Sequence, residues 1–323
     1  MVTSDLHSMV QRVLVTGGAG FIGSHLVDVL LAHEHPVCVI DNLSYGRRQF
    51  LPGESAKFRF VEADILDLDL VVQVLNDFRP TLVYHLAAIH HIPTCESRPL
   101  LALRVNVEGT QSVLTAVSKT WGVQRIVFAS SGVVYDILDG PLTEDSMVVP
   151  YDIYGASKVA GEHLVRINAK RTGVQGVVAR LFNAVGPRET NPHLVPDILA
   201  QVVRGERNVQ LGNLEPRRSF IHVEDAAEAL YALGQANLAT EYEIFNVGTE
   251  EEHSVRDILG LLSDLLGFAL TPVQAHEKMR KVDRPRQKAD VSRIWQEVRW
   301  RPQRSLRMAL EDALEEAGLW SVG

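Results

Sequence analysis

The feature that most constrains this chain is the unit "RVLVTGGAGFIGSHL" near its start, where an apolar β-type run passes through three glycines straight into a helical pattern. A strand with no polar face is stable only when helices or loops cover both of its sides. The unit is then echoed along the chain. Apolar runs at 36–41, 58–63, 81–87, 125–130 and 174–182 are separated for the most part by segments of helical length and period, among them "FIGSHLVDVLLAHE" and "LLALRVNVEGTQSVLTAVSKT". This alternation predicts an α/β fold built on a doubly wound parallel sheet.

The rhythm changes after Gly186. Pro187, Pro192 and Pro196 punctuate a short span, and beyond them helices and short strands mix without alternating. The expected organisation is a first domain of Rossmann type over 1–182, with 220–250 returning to it. A smaller mixed α/β lobe is expected from 183–219 and 251–323.

Gly17, Gly20 and Gly23 stand three apart at the turn from strand to helix. Glycines there permit a tight turn and let backbone N–H groups reach a pyrophosphate at the helix N-terminus. The next strand ends at Asp41, 18 residues past Gly23. That is close to the spacing at which a carboxylate meets the adenine ribose hydroxyls of a dinucleotide. A carboxylate also repels a 2′-phosphate, and Asn42 and Leu43 bring no cation, so NAD is favoured over NADP. Arg47 and Arg48, in the following loop, are the cations that would argue the other way.

"YDIYGASKVAGEHL" opens a helix after Pro150 and sets Tyr154 and Lys158 four apart, on one helical face. A phenol is a weak base at neutral pH. An ammonium one turn away would favour phenolate and make it useful for proton transfer.

Composition narrows the partners. A formal charge of −8 argues against a nucleic-acid-binding surface. Cys38 and Cys95 have no metal-type spacing and make no disulfide framework. No signal-peptide pattern is visible at the start, and no apolar run is long enough to span a bilayer. A soluble, cytoplasmic protein without membrane contact is expected.

The segments "VLVTGGAGFIGSHL", "VIDNLSYG", "EADILD", "YHLAA", "VNVEGT", "FASSGVVY", "YGASK" and "RLFNAVGPRE" occur in the order found in the extended short-chain dehydrogenase/reductase superfamily. In particular the chain resembles its nucleotide-sugar epimerases and dehydratases, of the UDP-glucose 4-epimerase-like kind. The resemblance implies an NAD-binding role for Gly17, Gly20, Phe21, Ile22 and Gly23, with Asp41 and Asn42 at the adenosine ribose. Asp64 and Ile65 would flank the adenine, Leu86, Ala87 and Ala88 would approach the cofactor, and Asn106 would support the site near the nicotinamide. It makes Ser131, Tyr154 and Lys158 the catalytic group, and sets Asn183 and Arg218 on a sugar-nucleotide diphosphate.

The chain also departs from the family's pattern. After "HLAA" it reads "IHHIPTCESRP", and His90 and His91 are expected to line the sugar pocket. With no further ligand of the right kind nearby in sequence, no metal site is expected. Seven Lys/Arg fall within 278–293; Arg280 is the first choice for a phosphate contact and Arg284 the second. Val133 stands two residues past Ser131, where dehydratases and uronate decarboxylases of the family carry an acid. The expected function is NAD-dependent epimerisation of a nucleotide-diphosphate sugar at C4 through a transient 4-keto intermediate. The alternatives are a 4,6-dehydratase, a decarboxylase, a 4-ketoreductase and a silent NAD-binding scaffold. A homodimer is expected through the helices near 99–119 and 152–172, using Leu100, Leu103, Val107, Leu114, Val159, Leu164 and Ile167.

Overall fold

Seven parallel strands form the central sheet of the computed structural model, which describes residues 10–279 and 284–320. They are β1 (Val13–Thr16), β2 (Val37–Asp41), β3 (Phe58–Glu62), β4 (Leu82–His85), β5 (Arg125–Ser131), β6 (Gln175–Leu181) and β7 (Tyr242–Val247). Their spatial order is 7-6-5-4-1-2-3, every neighbouring pair parallel. The expected doubly wound fold is the observed one. Chain direction across the sheet reverses between β1 and β4, which opens a crevice at the C-terminal ends of these two strands.

Side-chain alternation explains why the strands read as unbroken apolar runs. Val13, Val15, Val37 and Val39 enter one core with Leu26, Val27 and Leu30 of helix α1 (Phe21–Ala32). Leu14, Cys38 and Ile40 enter the opposite core, with Val71, Val74 and Leu75 of helix α2 (Leu68–Phe78) and with Val113, Leu114 and Val117 of helix α3 (Gly109–Lys119). Both faces are covered, so most positions at either register are apolar and the buried polar ones, such as Thr16 and His85, are hydrogen-bonded. Helix α4 (Ile153–Thr172) adds Val165 to the second core, and helix α5 (Val223–Gln235) adds Ala226, Ala227, Leu230 and Leu233 to the first. β7 and α5 thus place much of 220–250 on this sheet.

The stretch read as one helix over 99–119 is not uniform. A short α-helix, Pro99–Leu103, runs through a π-helical turn, Arg104–Glu108, into α3. The turn holds Asn106, whose side chain is buried and fully used: Oδ1 accepts from the Ile89 amide at 2.8 Å, and Nδ2 donates to the Ile89 carbonyl and to Ser157 Oγ, both at 2.9 Å. Local widening of a helix is a common way to turn one side chain inward at a functional site.

A third core belongs to the smaller lobe. Helices Leu194–Val203, Val255–Leu266 and Leu306–Glu316 supply Ile198, Leu199, Ile258, Leu262, Leu310 and Leu314 to it. The 251–323 stretch is divided, however: Ala289, Val291, Ile294 and Trp300 pack into the first sheet's core. Four-stranded pairing joins Arg217–Arg218 to Arg286–Ala289, and that strand to Pro141–Leu142 of the first lobe.

Leu100, Leu103 and Ile167 are exposed, Leu100 at 82%. Leu114 departs from the expected dimer set, being buried in its own sheet's core, and Val159 and Leu164 also pack onto the cores of their own chain. Among the described residues no helix is long and apolar enough to cross a membrane.

Candidate active site

A cavity of about 1860 Å³ runs from the crevice at β1 and β4 to the smaller lobe. At its first end the glycines do what their spacing implies. Gly17 has φ +74°, and a Cβ there would lie 2.6 Å from the Ala87 backbone nitrogen, so the turn after β1 and the loop after β4 touch only because the side chain is missing. Gly20 is the N-cap of α1, no side chain caps that end, and no acid stands in the first turn. Its amides are left for an anion. Gly17, Gly20, Phe21, Ile22 and Gly23 all line the cavity.

Asp41 ends β2 and is nearly buried. Its Oδ2 accepts from the Ala19 amide at 3.0 Å and its Oδ1 from the Leu43 amide at 2.8 Å. Burial raises its pKa above the usual carboxylate value, and the two amides pull it back. Asn42 Nδ2 donates to Asp64 Oδ2 at 2.9 Å, tying the ends of β2 and β3 together. Asp41, Asn42, Asp64, Ile65, Leu86, Ala87 and Ala88 line the cavity, whereas Arg47 and Arg48 do not. Arg48 is spent on the carbonyls of Leu51 and Pro52. An uncapped helix terminus, a glycine cradle and a carboxylate one strand away fit NAD. Asn106 lies behind this wall rather than in it, steadying Ile89 and the helix that carries the catalytic pair.

Helix α4 starts at Ile153 because Asp152 caps it, accepting from the Gly155 amide at 2.7 Å; Glu96 takes the Ile153 amide at 2.9 Å. The next residue, Tyr154, lines the cavity together with Ser131. Lys158 lies beneath, 4% exposed, with Nζ 5.7 Å from the centre of the Tyr154 ring and donating to the Ala129 carbonyl at 2.8 Å. Burial raises the phenol's pKa, and the Ser131 hydroxyl is the group that opposes it. Burial also pulls the lysine down to about 8.

Ser130 and Ser131 separate cleanly. Ser130 Oγ donates to Glu162 Oε1 at 2.5 Å, and Glu162 also forms a bidentate pair with Arg180, at 2.9 and 2.7 Å. Ser130 therefore serves a buried ion pair, while Ser131 Oγ accepts from the Val133 amide at 3.4 Å. Val133, in the 3₁₀ turn Gly132–Val134 after β5, lines the cavity.

At the other end, Asn183, Arg218 and Arg284 line the cavity. Arg218 Nη1 donates to the carbonyls of Arg217 and Arg284, at 2.9 and 2.6 Å. Arg284 is a different device from the expected phosphate contact. It is buried, and donates to the carbonyls of Tyr135 at 2.5 Å, Val133 at 2.8 Å and Asp136 at 3.3 Å, so it braces the turn that follows Ser131. Arg280 lies outside the described residues.

His90 and His91 both line the cavity. The sequence reading did not anticipate their company. Glu189 and His193, about a hundred residues away, come to His90, and one ligand-type atom from each of the three lies within 4.8 Å of the others. Only "PRETNPH", with its polar residues between prolines, hinted at a built loop there.

Residues 13–248 match the model of the NAD dependent epimerase/dehydratase family. The chain is 32% identical over 321 residues to the UDP-glucose 4-epimerase of Corynebacterium glutamicum, covering 94% of each. It is 28% identical to the UDP-N-acetyl-alpha-D-glucosaminuronate decarboxylase of Bacillus cytotoxicus, over 95% of this chain and 98% of that one. Among solved structures it is similar to Thermus thermophilus UDP-glucose 4-epimerase in complex with NAD, with TM-score 0.86 and 32% identity over 95% and 99% of the two chains. With the glycine cradle, Asp41 and the Ser131–Tyr154–Lys158 group in place, this chain belongs to the NAD dependent epimerase/dehydratase family, with NAD as its cofactor.

Proposed function

We propose that this protein is an NAD-dependent nucleotide-sugar 4-epimerase. The observation that carries the reading is the grouping of Ser131, Tyr154 and Lys158 on one cavity wall, with an apolar Val133 beside them. NAD, held by the glycine cradle and Asp41, would supply reversible hydride acceptance at C4, with epimerisation requiring return to the opposite face of the keto sugar; the chain's residues handle the proton and the positioning. Tyr154 takes the proton of the 4-hydroxyl and later restores it. Ser131 hydrogen-bonds the same oxygen and steadies the phenolate. Lys158 supplies positive charge next to the tyrosine, held in place by the Ala129 carbonyl. Elimination from the 4-keto sugar would require a proton to leave C5 and a hydroxyl to be protonated at C6, and Val133 can do neither. With no acid at that position, return of the hydride is favoured; any other outcome needs His90, His91 or Cys95 to supply the acid–base group from the other wall.

In this reading the first domain, 1–182 with 220–250, holds NAD, and 183–219 with 251–323 holds the nucleotide diphosphate through Asn183 and Arg218. His90 and His91 line the sugar end. The exposed apolar residues Leu100, Leu103 and Ile167 support a homodimer, and the two buried free thiols, Cys38 and Cys95, suit a reducing cytoplasm. The names of the relatives make UDP-hexoses the first compounds to try.

The test is incubation of the purified protein and NAD with UDP-, TDP-, GDP- and CDP-hexoses, with product stereochemistry read by NMR. A C4 epimer without 6-deoxy sugar or CO₂ is expected. Accumulation of a 6-deoxy-4-keto sugar nucleotide would overturn the reading in favour of a dehydratase.

A further inference from the structure

We propose that His90, Glu189 and His193 form a binding site for a late first-row divalent metal ion, Zn²⁺ foremost, in the wall of the cavity. The three residues offer two imidazole nitrogens and one carboxylate oxygen, mutually within 4.8 Å. That donor set is typical of open zinc sites, in which three protein ligands leave one position for an outside oxygen. All three residues line the cavity, so the fourth position faces the space a substrate would occupy.

The ligands are already oriented. The Asn191 amide N–H donates to Glu189 Oε1 at 3.1 Å, and its side-chain Nδ2 lies 3.2 Å from His90 Nε2. Asn191 thus touches two of the three residues, and its side-chain amide has to turn its oxygen toward the His90 ring for that ring to hold an ion. Glu189 Oε2 faces His193 Nδ1 at 3.4 Å. The His91 ring lies 5.6 Å from that of His193, but its Nδ1 is 2.9 Å from Thr94 Oγ1, and it is outside the trio.

The position in the fold gives the site a consequence. His90 follows β4 in the first domain, while Glu189 and His193 belong to the segment that leads into the smaller lobe. An ion held between them would tether the two across the cavity. The inference goes beyond the proposed epimerase activity and does not depend on it, since it is read without sugar nucleotide.

The experiment uses the full chain, stripped with chelator, dialysed, and titrated calorimetrically with Zn²⁺ alone; Co²⁺ is added separately and its visible absorption recorded. One saturable equivalent of Zn²⁺ is expected, with a tetrahedral-type Co²⁺ spectrum, no comparable response to Mg²⁺, and a melting temperature raised by Zn²⁺. Glu189→Gln and His193→Ala should each weaken Zn²⁺ binding by at least ~10-fold and abolish the thermal shift. His91→Ala should leave both unchanged. His193 is partly exposed, so its truncation should leave the fold intact, and Glu189→Gln keeps the side chain's shape. Absence of a saturable site, or a site that survives both Glu189→Gln and His193→Ala, would overturn the proposal.

Discussion

Lys158 Nζ donates to the carbonyl of Ala129 at 2.8 Å. This one bond locks the helix that carries Tyr154 to the strand that ends in Ser131, so the proton-handling groups keep their spacing although they come from elements some 25 residues apart. Arg284 completes the frame from the other side, by gripping the carbonyls of the turn that holds Val133.

Tyr154→Phe should keep the fold and NAD binding and lower turnover by about 10²–10⁴-fold, because only the proton-transferring oxygen is lost. Steady-state kinetics beside NAD titration checks this; near-normal turnover would remove the tyrosine from its role.

Lys158 trades stability for charge. Its folded pKa, near 8, is below the ordinary 10.5. Between those values the unfolded chain holds the extra proton, so its contribution to stability rises with pH across that window and is lost as pH falls through about 8. Lys158→Met loses the bond to Ala129 at every pH, but it should compare more favourably with wild type in melting temperature at pH 7 than at pH 10, while turnover collapses. A difference in melting temperature that does not change between pH 7 and pH 10 would contradict this.

Asp41 sets the choice of dinucleotide. Wild type should bind NAD more tightly than NADP, and Asp41→Ala should narrow the gap by about tenfold or more as the charge facing a 2′-phosphate disappears. Isothermal calorimetry with both cofactors decides it, and a wild-type preference for NADP would refute the assignment.

His85 should make the fold acid-sensitive. Thr110 gives its proton to the Asn106 carbonyl at 2.6 Å, so His85 Nε2–H donates to Thr110 Oγ1 at 2.9 Å and Nδ1 accepts from Thr16 at 2.7 Å. Burial, and secondarily the Lys158 charge, pull its pKa from 6.5 to about 3, and the Phe128 ring lies beside it. The unfolded state thus binds more protons in that window, and stability should fall as pH drops from 6.5 toward 3. Urea midpoints measured across this range should fall less steeply in His85→Asn.

Leu100→Glu with Ile167→Glu should convert a dimer into a monomer without loss of NAD binding. Light scattering of wild type at micromolar concentration, reporting a monomer, would dismiss the pairing.

Much of this protein was legible as local pattern. Unbroken apolar runs announced the strands, the glycine spacing announced the turn into α1, and a four-residue interval put Tyr154 and Lys158 on one face, because side-chain direction within an element follows from its own geometry. Asp41 was readable for the same reason, as the end of the strand next in line. Tertiary structure decided what needs two distant segments. Ser130 and Ser131 look alike in sequence, yet Glu162 claims the first, while the second stands on the cavity wall with Tyr154. Arg284 belongs to a basic run, yet packing buries it against backbone carbonyls and turns a charge into a brace. His90 meets Glu189 and His193 only because the smaller lobe folds back over the crevice, and no periodicity records which loops will face each other across a cavity.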